Sequence, residues 1–209
     1  MSEVIPSINV QTFDELHKRV KLIEPHVSWC HLDVTDGVFS THPTWRNPDD
    51  LGRLDTALNV EVHLMVEEPE KVIDAWLVSP IKRVIVHAEA SKDRDGIIEQ
   101  CRNSGRQIGI AINPDTPWEV LKPWANKADL LQILAVNPGP SGQEMKQEIV
   151  DKIKHLRAYC PGCIIEADGG VNVKTARILR EASANILVAG SAIFSSADIP
   201  SVIRALRYE

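Results

Sequence analysis

"CIIEADGGVNVKTARILREASANILVAGSAIF", residues 163–194, holds two short apolar runs with an amphipathic segment between them. Cys163–Ala167 and Ile186–Ala189 have the length and β-branched content of buried strands, while NVKTARILREASA reads as a helix. Neither run alternates cleanly between apolar and polar. Strands apolar on both faces and joined through helices belong to a parallel sheet whose outer face is covered.

The same rhythm runs through the rest of the chain. VIPSINV (4–10) precedes TFDELHKRVKLIEP, where Phe13, Leu16, Val20 and Ile23 fall at helical spacing. WCHLDV (29–34) is followed by a loop and a short helix near 47–54. LNVEVHLMV (58–66) leads to PEKVIDAWLV, RVIVHAE (83–89) to DRDGIIEQCRNSG, and QIGIAINP (107–114) to PWEVLKPWANKA. LLQILAV (130–136) leads through a loop to EMKQEIVDKIKHLRAY, and the last apolar run to DIPSVIRALRY. Eight strand-then-helix units in 209 residues, with no linker between them, predict a single-domain (β/α)8 TIM barrel spanning 1–209. A doubly wound open sheet would want a Gly-rich turn after the first strand, and SINVQTFDE has none.

Composition narrows the partners. A net charge of −6 without a basic stripe argues against nucleic acid. No polybasic patch and no run of about 20 apolar residues points to a membrane. MSEVIPSINV lacks the features of a signal peptide, and Cys30, Cys101, Cys160 and Cys163 show no framework spacing. The expectation is a soluble, cytoplasmic protein with reduced cysteines. Cys160-Pro161-Gly162-Cys163 is expected to be structural and remote from any site.

In such barrels the chemistry sits where strands end. Ser7 and Asn9 fall at the end of strand 1, His31 and Asp33 on strand 2, and His63 on strand 3. His87 and Glu89 end strand 4, Asn113 strand 5, Asn137 strand 6 and Asp168 strand 7. Any one of these alone is most simply a turn residue or a satisfied core polar group. Several on one rim, with His31 and Asp33 two apart and so on one face, favour a divalent metal site. Mixed imidazole and carboxylate ligation suits Zn²⁺, Mn²⁺, Fe²⁺ or Co²⁺ better than Mg²⁺ or Ca²⁺. His17, His26 and His155 read as surface helix residues, and Asp36-Gly37 as a turn.

Glycine-rich turns follow three successive strands: NPGPSGQ (137–143), DGGV (168–171) and AGSAIF (189–194). Backbone amides there can approach an anion, and the loops after strands 7 and 8 commonly hold phosphate. Residues 195–199 could open the short helix that often assists. Trp76, Trp118 and Trp124 read as helix packing, and Trp45 is the candidate for substrate contact.

HLDVTDGVF, VEVHLMVEEPE, VIVHAEA, AINPDTP, AVNPGPSGQ, EADGGVN and VAGSAIF, in this order, resemble the signatures of the ribulose-phosphate 3-epimerase family over nearly the whole chain. The resemblance implies a (β/α)8 barrel with one divalent ion (Zn, Mn, Fe or Co) held by His31, Asp33, His63 and Asp168. Asp33 and Asp168 would be the catalytic acid/base pair. Gly142, Gly169, Gly170, Gly190 and Ser191 would bind the substrate phosphate, while Ser7, His63 and Gly139 complete the substrate contacts. Related barrels form dimers or hexamers, so a homo-oligomer is expected.

Departures from the family pattern gather around the mouth. Thr35-Asp36-Gly37-Val38-Phe39 stands where the family has MDGHF, and Ser40–Arg46 where it has VPNLTFG. Of three family methionines only Met65 is kept, with Thr35 and Leu134 in the other places. NPGFGGQ has become Asn137–Gln143 with Pro140 and Ser141.

The implied reaction inverts C3 of a small phosphorylated ketose, ribulose 5-phosphate to xylulose 5-phosphate, by two-carboxylate proton transfer through a metal-stabilised enediolate. The same chemistry on a six-carbon ketose phosphate such as allulose 6-phosphate is the alternative, and a non-catalytic phosphate-binding barrel the other. Decarboxylases and aldol-type synthases on related barrels need Asp-x-Lys-x-x-Asp. Here Thr35 follows Asp33-Val34, so that lysine is absent.

Overall fold

A computed structural model describes residues 2–208. Its strands are β1 (Glu3–Ile8), β2 (Trp29–Thr35), β3 (Asn59–Met65), β4 (Ile81–His87), β5 (Gln107–Ile112), β6 (Leu130–Leu134), β7 (Ile165–Asp168) and β8 (Ile186–Ala189). All are parallel, each pairs with the next, and β1 pairs with β8 to close the barrel. Closure leaves no edge with unpaired backbone groups.

The α-helices are α1 (Phe13–Ile23), α2 (Arg94–Asn103), α3 (Ile149–Tyr159), α4 (Val173–Glu181), α5 (Ser191–Phe194) and α6 (Ile199–Tyr208). Local signals place their starts. Thr12 accepts from the Glu15 amide at the head of α1, Asp93 from the Gly96 amide at α2, and Asn172 with Thr175 forms a reciprocal capping box at α4. One face of each long helix is buried, with Leu16, Val20 and Ile23 covering the barrel in α1, as their spacing predicts.

Two apolar cores result. The larger lies between helices and sheet; the smaller fills the lumen with Ile5, Ile85, Ala111, Leu130, Ile186 and Val188. Gly109 is a glycine because the lumen is full there. A Cβ at this position would lie 2.9 Å from Ile85 Cγ1 and 3.0 Å from Leu130 Cδ2.

Several expectations are corrected. Residues 69–78 form two short 3-10 turns, Pro69–Lys71 and Ile73–Trp76, and Trp118–Trp124 is a 3-10 segment. Val72 between the first two has φ −121°, outside the helical range, and Pro123 inside the third has no amide to donate. The short helix after β8 begins at Ser191, not within 195–199. Trp45 is buried, donates Nε1 to Asp50 Oδ2 at 3.0 Å and packs against Phe13 and Trp76, so it is a core residue.

The cysteines are not all reduced. Cys160 and Cys163 are joined by a disulfide where the chain turns from α3 into β7, their Cα atoms 5.5 Å apart and within bridging range. Cys30 and Cys101 are free and buried. Among the described residues no helix is long and apolar enough to cross a membrane.

Candidate active site

Alternation along β2 turns His31 and Asp33 into the lumen together, and the β2–β3 register sets Asp33 opposite His63. Asp168 ends β7 on the same rim. His31 Nε2 lies 3.3 Å from Asp33 Oδ1 and 3.7 Å from Asp168 Oδ2. His63 Nδ1 lies 3.6 and 3.3 Å from the same two oxygens. The four atoms thus form a compact tetrahedron, and neither imidazole nitrogen has a hydrogen-bond partner. Four of its edges measure 3.3–3.7 Å and all its corners lie within 4.8 Å of one another, which leaves room between them for a small ion at roughly the 2.0–2.2 Å bond length of zinc to nitrogen and oxygen. The residues fit a divalent cation.

The tautomers agree. His31 Nδ1 faces Glu61 Oε1 at 2.8 Å, and Glu61 Oε2 accepts from Arg83 Nη1 at 2.5 Å. Arg83 is held in turn by Gln107 Oε1 and the face of Trp29. A proton on Nδ1 donated to Glu61 leaves the Nε2 lone pair facing the tetrahedron. His63 Nε2 meets His87 Nε2 at 2.9 Å, and His87 Nδ1 faces Glu89 Oε2 at 3.3 Å. A chain of donors running outward to Glu89 likewise frees His63 Nδ1. Burial lowers the His87 pKa to about 4, so that ring is neutral, while Glu89 is held down at about 2 against its own burial by His87, Thr116 and the Asn113 amide.

Without a cation the cluster draws protons. Burial pushes His31 and His63 down, but the adjacent carboxylates outweigh it and raise both, His31 well above the usual range. Asp33 is depressed despite burial by the two imidazoles. A divalent ion answers the same demand for positive charge while leaving both imidazoles neutral.

Each carboxylate has its own tether. Ser7 Oγ donates to Asp33 Oδ2 at 2.5 Å, and Gln132 Nε2 donates to Asp168 Oδ2 at 3.2 Å. In both cases the donor sits on the preceding strand.

Above the tetrahedron opens a cavity floored by Asp33 and Asp168 and walled by Met65 and Leu134. Ser7, Gly139, Gly142, Gly169, Gly170, Gly190 and Ser191 all line it, whereas His31 and His63 lie fully buried beneath. Every site residue expected from the sequence is therefore at the cavity or directly under it. Gly169 (φ +105°) and Gly170 (φ +64°) make the turn that a side chain would obstruct; a Cβ on Gly170 would stand 2.4 Å from the Met145 amide nitrogen. Asn9 Nδ2 donates to Gly139 O and Ser40 Oγ to Pro138 O, lacing the β6 loop to β1 and to the β2 loop.

Sequence reasoning missed four lumen residues: Glu61, Arg83, Gln132 and Glu166, all buried. Three of them carried a signal. Glu61 precedes His63 by two, as Glu166 precedes Asp168, and period-two alternation puts each pair on one face. Gln132 stands alone among apolar residues in LLQIL. Burial and the neighbouring Glu61 raise Glu166 well above the usual carboxylate range, and neither of its oxygens has a hydrogen-bond partner, His31 Nδ1 standing 3.9 Å from Oε1.

The family model described as "Ribulose-phosphate 3 epimerase family" matches residues 3–194. A Bacillus subtilis (strain 168) protein named ribulose-phosphate 3-epimerase is 35% identical over 215 residues, covering 99% of both chains. One of the same name from Schizosaccharomyces pombe is 32% identical over 212 residues, covering 99% of this chain and 92% of its own. Among solved structures, the tryptophan synthase A-subunit of Pyrococcus furiosus superposes with a TM-score of 0.75 at 13% identity, covering 99% and 97% of the two chains. At that identity the likeness speaks for the barrel alone.

Proposed function

The chain belongs to the ribulose-phosphate 3-epimerase family, isomerases acting on carbohydrates, and we propose that it inverts C3 of ribulose 5-phosphate to give xylulose 5-phosphate with one divalent metal ion. The observation that carries this reading is the tetrahedron of His31, Asp33, His63 and Asp168 directly beneath a cavity ringed by glycine turns. Zn²⁺, Mn²⁺, Fe²⁺ and Co²⁺ all suit the donor set.

A cation bound there supplies positive charge beside the substrate oxygens on which negative charge develops. The residues of the chain do the rest. Asp33 and Asp168 reach the floor of the cavity from β2 and β7, on separate parts of the rim. One carboxylate takes the C3 proton from one face while the other returns a proton to the opposite face. Their roles exchange in the reverse direction, which an epimerase needs. Ser7 and Gln132 hold the two carboxylates in place, and the turns at Gly142, Gly169, Gly170, Gly190 and Ser191 receive the phosphate. Met65, Leu134 and Val136 present apolar surface that keeps bulk water from the proton path.

The test incubates the metal-loaded protein in deuterated water with ribulose 5-phosphate, and separately with allulose 6-phosphate. Deuterium is expected at C3 of the five-carbon sugar and is expected to vanish in Asp33→Asn and in Asp168→Asn. Exchange confined to the six-carbon sugar would move the substrate assignment. Exchange with neither would leave a phosphate-binding barrel.

A further inference from the structure

The central cavity suits an anion by shape but not by charge. None of its lining residues among those described is Lys or Arg, two are aspartates, and the whole chain carries −6. Even with a divalent cation offsetting the two aspartates, only backbone amides, hydroxyls and the side-chain amides of Asn9, Asn137 and Gln143 are left in the wall to hold a phosphate dianion. A second hollow adjoins the cavity where β1 and β8 meet, and Ser7, Asn9, Ser141, Gly190 and Ser191 line both. Its remaining walls are Arg19 of α1 together with Phe194 and Ser195.

Arg19 is prepared for a ligand. Its Nη2 meets Glu15 Oε1 at 2.7 Å, and its guanidinium lies over the Phe194 ring, 5.0 Å from the centroid. A guanidinium has five N–H donors, so one carboxylate oxygen leaves most of the fork available. Stacking on an aromatic ring and pairing with Glu15 fix the group before anything binds, which lowers the entropy lost on binding. Gly190 contributes no side chain at the shared wall, where a Cβ would stand 3.4 Å from Ser7 O.

We infer that Arg19 is the cationic partner of the substrate phosphate, reaching it across the seam at Gly190 and Ser191. The inference rests on the reading of the ligand as a phosphorylated sugar. Lys174 is the competing cation, lining a third hollow beyond Gly142, Gly170 and Ser191. It is exposed and has no ion pair among the described residues, so nothing holds it ready.

Titration of the metal-loaded protein with inorganic phosphate, followed by calorimetry, gives a readout independent of turnover. Arg19→Ala is expected to weaken phosphate binding by about tenfold and to raise KM for ribulose 5-phosphate by a similar factor, with kcat within about twofold. Arg19→Lys should fall between, and Lys174→Ala should match the parent. Arg19 is partly exposed on the surface of α1, so unchanged thermal melting is the expected control. Phosphate binding unaffected by Arg19→Ala, or lost in Lys174→Ala instead, would overturn the inference. If the parent turns over no ketose phosphate yet binds phosphate through Arg19, the anion assignment stands and the epimerase reading falls.

Discussion

Gln132 shows how much one side chain settles at this site. Its Nε2 holds Asp168 Oδ2, while its Oε1 is buried without a partner. The first contact serves the carboxylate, and the second costs stability because a buried acceptor is left unpaired. Gln132→Leu should therefore separate the two effects. Thermal melting is expected to hold or rise, while kcat falls by about tenfold because Asp168 loses the donor that orients it. A fall in melting temperature with kcat intact would show that the amide packs the lumen and does not position the acid. The same residue marks the limit of the sequence reading. His31, Asp33, His63 and Asp168 were legible because ionisable groups at strand ends stand out against apolar runs. Gln132 stood out only as the lone polar residue of LLQIL, and nothing there says which face of a doubly buried strand turns to the lumen and which to the helices. Arg83 opens the run RVIVHAE with no pattern that turns it inward, yet it reaches Glu61 and stacks on Trp29.

At the scale of elements, all eight strands and the five long helices α1, α2, α3, α4 and α6 were visible, but residues 69–78 and 118–124 formed 3-10 turns where helices were expected. Residues 69–78 and 118–124 have apolar spacing that a helix or a string of 3-10 turns satisfies equally, and Val72 and Pro123 tip them to the tighter form. The disulfide was missed because a three-residue gap between cysteines says nothing of whether the backbone brings them together. Other ties between elements fall on single side chains. Glu24, just past α1, accepts from Thr56 Oγ1 at 2.6 Å and the Ala57 amide at 2.7 Å, and pairs with Lys21 at 3.1 Å. These bonds hold its pKa at about 2. A carboxylate whose pKa is depressed by folding stabilises above its unfolded value and loses that contribution as pH falls through the folded one. Glu24→Gln should thus cost about 1 kcal/mol at pH 7, discounted for its contact with solvent. In urea unfolding the gap between parent and variant is expected to close between about pH 4.5 and pH 2. A gap that persists unchanged at pH 2 would place the effect in packing and not in charge.

For the molecule as a whole, the four donors tie together parts of the barrel that hydrogen bonds do not join directly. β2 and β3 are neighbours, but β7 is reached from them only through intervening strands. A cation gripped by His31, Asp33, His63 and Asp168 would cross-brace the mouth of the cylinder and bind only the folded state. Folding and metal binding are then linked: at a free metal concentration about 100 times Kd the gain is about 2.7 kcal/mol. For a chain of this length that corresponds to a melting temperature higher by roughly 5–10 °C. Dialysis against a chelator should remove the increment, and returning Zn²⁺ or Mn²⁺ should restore it. Asp168→Asn gives the sharper comparison. Without metal it removes a carboxylate that pairs with both imidazoles, so its melting temperature should equal or fall below that of the chelated parent. With metal it should gain little, because a neutral amide oxygen replaces an anionic ligand. If parent and variant respond alike to added metal, the ion is bound by surface carboxylates and the tetrahedron is an acid–imidazole network with no cation at its centre.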